Sequence, residues 1–338
     1  MKAILPIPHG GVGLVETAPP AIGPGEVLLE MRASGLCGTD LAKLAEPVTS
    51  NVRLGHEIAG VVRAVGHGVT RFKPGDRLTA AHHVPCGSCW ACRHGNDSMC
   101  QQFKATQIDP CGFAEQIRIP ALHVAQVAFR LPDALSDEAA CFTEPLACAV
   151  RAVHRSEVLP GDTVAVVGAG GMGLLIAQTL LARGARPVVA DIAESRLALA
   201  GTVGAKDLIH SAREGLRTSL LRLSSGTGVD GAILTIVNAT ILGDVQAALR
   251  PGGRINIFAS AGSHARLTLD FDDLYHRELA VFSTYSSSPA ALAEAFDLLA
   301  TGRVSVAPLI SHRLPLDAFA DGVRLQREGR ATKVIFHP

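Results

Sequence analysis

The residues with the clearest chemical signature are four cysteines in one short, glycine-containing loop. They follow the pattern C-x2-C-x2-C-x7-C and are Cys86, Cys89, Cys92 and Cys100. Four thiolates at this spacing can surround one metal ion tetrahedrally, which is typical of a structural Zn²⁺ site. Similar spacings occur in ferredoxins, so an iron–sulfur cluster is the alternative, and unligated structural thiols are a weaker one. The loop therefore predicts structural zinc.

A second set of potential ligands lies earlier in the chain and is scattered. Cys37 belongs to the run GLCGTD at positions 35–40, and His56 and Glu57 belong to GHE at 55–57. Taken singly, Cys37 has an ordinary explanation as a buried thiol and His56 as a hydrogen-bonded core histidine. Metal binding becomes the better hypothesis because the four-cysteine loop and a nucleotide-binding motif occur in the same chain.

That nucleotide-binding motif is a glycine-rich turn, VVGAGGMG at 166–173, which contains G-x-G-x-x-G between a predicted buried strand and a predicted helix. The first glycine permits the tight turn, the second lets the backbone approach a pyrophosphate, and the third lets the helix pack closely on the strand. The helix N-terminus offers free N–H groups to the phosphates. The cofactor-binding residues predicted here are Gly168, Gly170, Gly171, Met172 and Gly173.

The choice of dinucleotide depends on Asp191, which ends the next predicted strand. An acidic side chain there would accept hydrogen bonds from the adenosine ribose and repel a 2′-phosphate, which favours NAD over NADP. Arg196 is near enough in sequence to accommodate such a phosphate, so NADP is the alternative. The structural explanation for Asp191 is a cap or turn residue.

The elements that must position these residues change character along the chain. Up to about residue 140 the pattern predicts short strands separated by Gly and Pro turns, and a helix is predicted from Asp137 to His154. A repeating strand–helix alternation then runs to about residue 288, which indicates a parallel sheet covered on both faces. One more helix, Pro289 to Thr301, and short strands up to Ile335 complete the prediction.

Composition restricts the function classes. The chain of 338 residues carries 31 Lys and Arg against 31 Asp and Glu, so it lacks the basic surface that nucleic acid or an anionic membrane would need. The apolar stretch 164–182 is interrupted by glycines, which fits a strand, a turn and a helix better than a membrane span. No signal peptide is recognisable, so we expect a cytoplasmic protein whose cysteines are ligands or buried thiols.

Over essentially its whole length the sequence resembles the zinc-containing medium-chain dehydrogenases. It is most similar to their polyol branch, the sorbitol and L-iditol dehydrogenases, with threonine dehydrogenase as a near relative. The resemblance is carried by the motifs CGTD at 37–40, GHE at 55–57, the four-cysteine loop, EPLAC at 144–148, the glycine turn, YHRE at 275–278 and TYSSSP at 284–289.

The resemblance implies a catalytic zinc held by Cys37, His56 and Glu57. Glu144 stands where alcohol dehydrogenases have a second cysteine ligand, and it would bind the metal or hold its water. An open position on such a zinc binds the substrate oxygen and lowers the hydroxyl pKa, so that the alkoxide can release a hydride.

The resemblance also implies a proton path that starts at the Thr39 hydroxyl. Many relatives continue it with a histidine five residues after the cysteine, where this chain has Ala42. Water or the cofactor ribose would then complete the path.

The implied fold is α/β and has two domains. A doubly wound parallel-sheet (Rossmann) nucleotide domain would occupy 143–288, and a zinc-binding catalytic domain with a partly open, GroES-like β-barrel would occupy 1–142 and 289–338. We expect the substrate in the cleft between them, beside the carboxyl ends of the parallel strands. The family also implies a homodimer or homotetramer.

The predicted function is hydride transfer between NAD and a secondary alcohol, most specifically a polyol, sugar alcohol or cyclitol. A threonine-type or other secondary-alcohol dehydrogenase is the alternative within the family. A zinc-free quinone reductase would share the fold but lack both ligand sets. A zinc-ribbon protein that binds nucleic acid is the alternative from another class, and the neutral charge argues against it.

Overall fold

The computed structural model describes residues 1–8, 10–260 and 265–338. Its internal contacts divide the chain into two units. Unit 1 comprises Met1–Ala147, Ser287–Gly302 and Leu309–Pro338, and unit 2 comprises Cys148–Ser286 with Arg303–Pro308. The chain therefore leaves unit 1 to build unit 2 and then returns.

Unit 1 is dominated by short strands. In chain order they are β1 (Lys2–Pro6), β2 (Val12–Glu16), β3 (Val27–Gly35), β4 (Glu57–Val65), β5 (Arg77–Ala80), β6 (Gln116–Ile119), β7 (Ala128–Arg130) and, near the C-terminus, β14 (His312–Pro315) and β15 (Val334–His337). β1 and β2 form an antiparallel pair, and the others form a seven-stranded sheet in the order β14-β15-β3-β4-β5-β7, with β6 also paired to β3. Only β14 and β15 pair in parallel within this sheet.

The core of unit 1 is apolar side chains of these strands packed on three phenylalanines. Leu29, Ile58 and Leu78 are almost fully buried. The rings of Phe113, Phe319 and Phe336 lie 5.1–5.4 Å apart, at distances typical of favourable aromatic pairs.

Helices in unit 1 are short and lie in the connections. They are α1 (Gly38–Lys43), α2 (Trp90–Arg93), α3 (Gln101–Ala105), α4 (Ala121–Gln126), α5 (Asp137–Ala140), α13 (Pro289–Ala300) and α14 (Phe319–Arg327), while α6 (Thr143–Arg155) runs from unit 1 into unit 2. The sequence pattern predicts strands and turns up to residue 140, so the four helices before α5 are additional findings.

Two helix predictions are corrected. The helix expected from Asp137 to His154 is two helices, α5 and α6. Pro145 lies in the first turn of α6 and lacks the N–H that a continuous helix would need there. The segment expected to contain only strands up to Ile335 includes α14. Gly322 is required in this helix because a Cβ there would lie 2.4 Å from the Phe336 ring.

Unit 2 contains a six-stranded sheet that is parallel throughout. Its strands are β8 (Thr163–Val167), β9 (Arg186–Asp191), β10 (Asp207–His210), β11 (Val229–Leu234), β12 (Leu249–Ile257) and β13 (Ala280–Ser283), in the order β10-β9-β8-β11-β12-β13. The strand order reverses beside β8, which makes the sheet doubly wound and creates the switch point where ligands bind in such sheets.

The helices of unit 2 alternate with these strands. They are α7 (Gly171–Ala182), α8 (Glu194–Thr202), α9 (Ser211–Glu214), α10 (Leu216–Leu223), α11 (Ala239–Ala248) and α12 (Phe271–His276). Gly184 follows α7 with φ of 77°, the left-handed conformation expected of a helix-terminating glycine. Within the described residues, no helix has the length and apolarity needed to cross a membrane.

Candidate metal and cofactor sites

The four-cysteine loop gathers its sulfur atoms around one point. The Sγ atoms of Cys86, Cys89, Cys92 and Cys100 all lie within 4.8 Å of one another. Cys92 Sγ is 3.5 Å from Cys89 Sγ and 4.0 Å from Cys86 Sγ. Zn–S bonds of about 2.3 Å in a tetrahedron require sulfurs roughly 3.8 Å apart, so the loop is already close to zinc-binding geometry.

The loop favours the thiolate form that a metal requires at Cys86 and Cys100, whereas burial raises the pKa of Cys92 to about 12. Backbone N–H groups of Ser88 and Cys89 are the main reason why the pKa of Cys86 falls to about 6. All eight cysteines are free of disulfide bonds, and Cys100 is buried. The donor set and its spacing therefore fit a structural zinc ion.

The second ligand set is brought together by the antiparallel pair of β3 and β4. Gly35 at the end of β3 faces Glu57 at the start of β4, so the residues just outside these strand ends, Cys37 and His56, become neighbours. The ligand atoms of Cys37, His56 and Glu57 lie within 4.8 Å of one another. A Cβ at Gly35 would stand 2.1 Å from Glu57 Oε2, so this site requires glycine there.

Asp40 orients this second set. It is fully buried in α1, and its carboxylate accepts hydrogen bonds from the Cys37 N–H at 3.1 Å and the Gly55 N–H at 2.9 Å. His56 Nδ1 faces Asp40 Oδ1 at 3.7 Å, which leaves Nε2 on the side of Cys37. A carboxylate behind the far nitrogen is the usual arrangement for a metal-binding histidine, because it fixes the ring and its tautomer.

Lys333 supplies a positive charge that the sequence analysis did not foresee. Its Nζ donates to Glu57 Oε1 at 2.8 Å, Glu57 Oε2 at 2.6 Å and the Leu36 carbonyl at 3.2 Å. Burial alone would lower the pKa of Lys333, but the charges of Glu57 and Cys37 raise it, so the amine stays protonated. The candidate ligand Glu57 is therefore also one half of a buried ion pair. The available signal was a lysine placed directly before the apolar run Val334–Phe336.

Glu144 lies in the first turn of α6 and is buried. Its charge also contributes to raising the pKa of Lys333, which puts it in the electrostatic neighbourhood of Glu57. It is not part of the close trio of Cys37, His56 and Glu57.

Thr39 stands beside the candidate metal ligands. Its hydroxyl donates to Cys37 Sγ at 2.9 Å and lies 3.5 Å from His56 Nε2. The side chain is exposed, so a proton held there has access to solvent. Ala42, on the same short helix, offers no polar group to continue such a path.

Three histidines near this set were also missed by the sequence analysis. His82 and His83 follow β5, and the centroid of the His82 ring is 4.5 Å from that of His56. His123, in α4, places Nε2 2.9 Å from the His82 carbonyl. The pair of adjacent histidines shortly before Cys86 was the available signal.

In unit 2 the glycine turn has the geometry of a phosphate-binding loop. Gly168 has φ of 100°, and a Cβ there would lie 2.3 Å from Thr235 Oγ1. A Cβ at Gly173 would lie 1.8 Å from the Gly168 carbonyl, so helix α7 packs against the turn without room for a side chain. Gly170 faces open space, and Gly171 and Met172 begin α7. The free N–H groups of this helix end can face an anion.

Asp191 lies at the end of β9, beside that turn. Its carboxylate accepts hydrogen bonds from the Ala169 N–H at 2.7 Å and the Ala193 N–H at 2.9 Å. Arg196 Nη1 is 3.8 Å from Asp191 Oδ2 and its side chain is partly exposed. Two carboxylate oxygens offer about four acceptor positions, so capacity for ribose hydroxyls is left after the two backbone bonds.

Comparison with known proteins agrees with this geometry. Residues 23–132 match the family model described as alcohol dehydrogenase GroES-like domain, and residues 171–301 match zinc-binding dehydrogenase. An L-threonine 3-dehydrogenase of Pyrococcus horikoshii is 32% identical over 350 residues, which covers 99% of this chain and 98% of that protein.

Two solved structures are similar over the full chain. Galactitol-1-phosphate dehydrogenase of Escherichia coli has a TM-score of 0.86 and 28% identity, with 100% of both chains covered. A zinc-binding dehydrogenase of Sinorhizobium meliloti, solved bound to NADP, has a TM-score of 0.87 and 28% identity, covering 100% of this chain and 99% of that one.

These matches confirm the predicted α/β fold class, with a parallel Rossmann-like sheet and a GroES-like domain. They also support an oxidoreductase that acts on a CH–OH group with the help of zinc. The polyol branch is not singled out, since the relatives that match over the whole chain include L-threonine 3-dehydrogenases at 29–32% identity. The chain belongs to the zinc-containing medium-chain dehydrogenase family.

Proposed function

We propose that this protein oxidises a secondary alcohol that carries a polar group on the neighbouring carbon, with NAD as hydride acceptor. L-Threonine is the first substrate candidate. The observation that carries the proposal is the trio Cys37, His56 and Glu57, whose ligand atoms lie close together, in a chain similar along its whole length to L-threonine 3-dehydrogenases.

A polyol or its phosphate is the second candidate. It is supported by the full-length similarity to galactitol-1-phosphate dehydrogenase. Threonine and galactitol 1-phosphate share a chemical feature, because in both a secondary alcohol has an amino or hydroxyl group on the adjacent carbon. The proposed substrate class is defined by that shared feature.

The catalytic chemistry follows from the polar groups of unit 1. Zinc bound by Cys37, His56 and Glu57 would act as a Lewis acid and lower the pKa of the substrate hydroxyl. Asp40 fixes the His56 ring from behind, and Lys333 balances the charge of Glu57. The Thr39 hydroxyl, next to Cys37 Sγ and open to solvent, would receive the proton that the alcohol loses. Glu144 would bind the metal or hold its water.

The proposed preference for NAD rests on Asp191. Its carboxylate is anchored to the glycine turn by the Ala169 N–H, so its charge is fixed where the adenosine ribose binds in such folds. This charge would repel a 2′-phosphate. The Sinorhizobium meliloti relative was solved with NADP, so NADP belongs in every assay.

Two zinc ions per chain and a cytoplasmic homodimer or homotetramer complete the proposal. The two ligand groups in the described residues, four cysteines and the Cys37 trio, support the zinc count. Eight cysteines without a disulfide are typical of a reducing compartment.

A substrate panel tests the proposal. Purified, zinc-loaded protein is assayed by NADH and NADPH absorbance with L-threonine, sugar alcohols and their phosphates, cyclitols, 2,3-butanediol and 2-butanol. We expect the highest kcat/KM with NAD and an alcohol that carries an adjacent polar group. Highest activity with 2-butanol, or none with any alcohol, would contradict it.

A further inference from the structure

His82 follows β5 and precedes the four-cysteine loop. The centroid of its ring is 4.5 Å from that of His56, with the two planes tilted by 40°. On its other side it lies 3.9 Å from the His83 ring. His82 is therefore a direct neighbour of a candidate zinc ligand without itself belonging to the close trio.

The hydrogen bonding of His82 differs from that of the two histidines near it. His83 Nδ1 lies 2.6 Å from the Thr106 carbonyl, and His123 Nε2 lies 2.9 Å from the His82 carbonyl. His82 Nδ1 is enclosed and has no partner among the described residues. The residue is only half-buried, and Nε2 is not among the enclosed atoms that lack a partner, so the Nε2 edge of the ring is accessible.

A histidine ring with an enclosed, unpartnered nitrogen lowers the stability of the fold, so its presence calls for a functional explanation. Leaving a buried polar atom without a partner costs about 1–3 kcal/mol, whereas an apolar side chain in the same place would avoid that cost. The ring nitrogen at the accessible edge can donate or accept a hydrogen bond, according to the tautomer.

We propose that His82 is a specificity-determining residue, whose accessible edge forms a hydrogen bond with the polar group on the carbon next to the reacting alcohol. This inference rests on the proposed function. A substrate oxygen at the position shared by Cys37, His56 and Glu57 would lie beside the His56 ring, and the His82 ring is a direct neighbour of that ring. A site that hydrogen-bonds a hydroxyl or amine discriminates strongly against an analogue that lacks it, because its own polar group is then left unpaired.

The test compares two alcohols that differ by one hydroxyl, 2,3-butanediol and 2-butanol, and uses the ratio of their kcat/KM values. His82→Phe keeps a flat ring without nitrogen, and His82→Asn keeps a donor and an acceptor. His123→Gln is the matched control, because it alters a neighbouring buried histidine whose hydrogen bond is to the His82 backbone carbonyl and not to the His82 ring. Zinc content is measured for each protein.

We expect His82→Phe to retain its zinc and to lower the diol-to-monoalcohol ratio by about tenfold or more. His82→Asn should recover part of the ratio, and His123→Gln should leave it near the wild-type value. Equal losses for both alcohols, or an unchanged ratio, would overturn the inference while leaving the dehydrogenase proposal intact. If His82→Phe loses zinc, the diol-to-monoalcohol ratio of His82→Asn tests the inference instead. Loss of zinc in both variants would make His82 a structural residue and overturn the inference. Wild-type protein that oxidises no alcohol of the substrate panel would refute the proposed function, and this inference with it.

Discussion

Replacing Lys333 with methionine should destabilise unit 1 strongly, because it leaves the Glu57 carboxylate buried without its cation. Lys333 Nζ lies 2.8 and 2.6 Å from the two carboxylate oxygens, and the side chains of Lys333 and Glu57 are only 9% and 1% exposed. Removing one partner of a buried pair costs about 3–5 kcal/mol. For a unit of roughly 200 residues, 1 kcal/mol corresponds to about 2–4 °C, so its transition should fall by roughly 6–20 °C.

The measurement is differential scanning calorimetry of metal-free protein, so that zinc cannot take the place of the missing ammonium group. The double variant Lys333→Met, Glu57→Gln should recover most of the loss, because the uncompensated charge is then gone. Lys104→Met is the control, since this exposed lysine of α3 should change stability by no more than about 0.5 kcal/mol.

Two results would refute this reasoning. A shift of the single variant no larger than that of the control would mean that the pair contributes nothing. A double variant as unstable as Lys333→Met alone would mean that lost packing of the lysine stem, and not the stranded charge, causes the effect. If added zinc stabilises Lys333→Met more than it stabilises the wild type, the Glu57 carboxylate binds the metal when the lysine is absent.

Three further predictions concern metal and cofactor. Metal analysis should find two zinc ions per chain, and a chelator should remove the one at Cys37 first, together with activity; one zinc, or iron, would be inconsistent with this. The wild type should prefer NAD over NADP by at least about tenfold in kcat/KM, and Asp191→Ala should reduce that preference. If the wild type used NAD and NADP equally well, Arg196 and not Asp191 would determine the choice of cofactor. Glu144→Gln should keep both zinc ions and lower kcat by about 10–100-fold; loss of one zinc would make Glu144 a direct ligand, and an unchanged kcat would leave it a helix-terminal residue.

The features that the sequence predicts are those whose residues are close together in the chain. The four cysteines span one loop, and the glycine turn joins one strand to one helix, so spacing alone conveys their geometry. The alternation of strands and helices likewise specified the parallel sheet. Predictions failed where a local pattern was decided by distant packing, as for α14, whose Gly322 faces the Phe336 ring.

The unpredicted parts of the site are contacts between remote segments. Lys333 meets Glu57 across 276 positions of sequence, and nothing in either local pattern indicates the other. His82 could be noticed as one of two adjacent histidines, but its distance from His56 depends on the pairing of β4 with β5. Such contacts are determined by sheet register, which a single sequence conveys poorly.

The late position of β15 has a consequence for how the protein is made. β15 lies between β14 and β3, and pairs with Ser34 and Gly35 just before Cys37. On the ribosome, all of unit 2 is synthesised after β3 and before β15, so unit 2 can fold while the sheet of unit 1 still lacks this strand. The end of β3 at Ser34 and Gly35 is then unpaired on one edge, and nascent chains can mispair there. The surroundings of Cys37 and Glu57 are complete only after the last strand, and we expect acquisition of the catalytic zinc to follow, not to guide, the folding of unit 2.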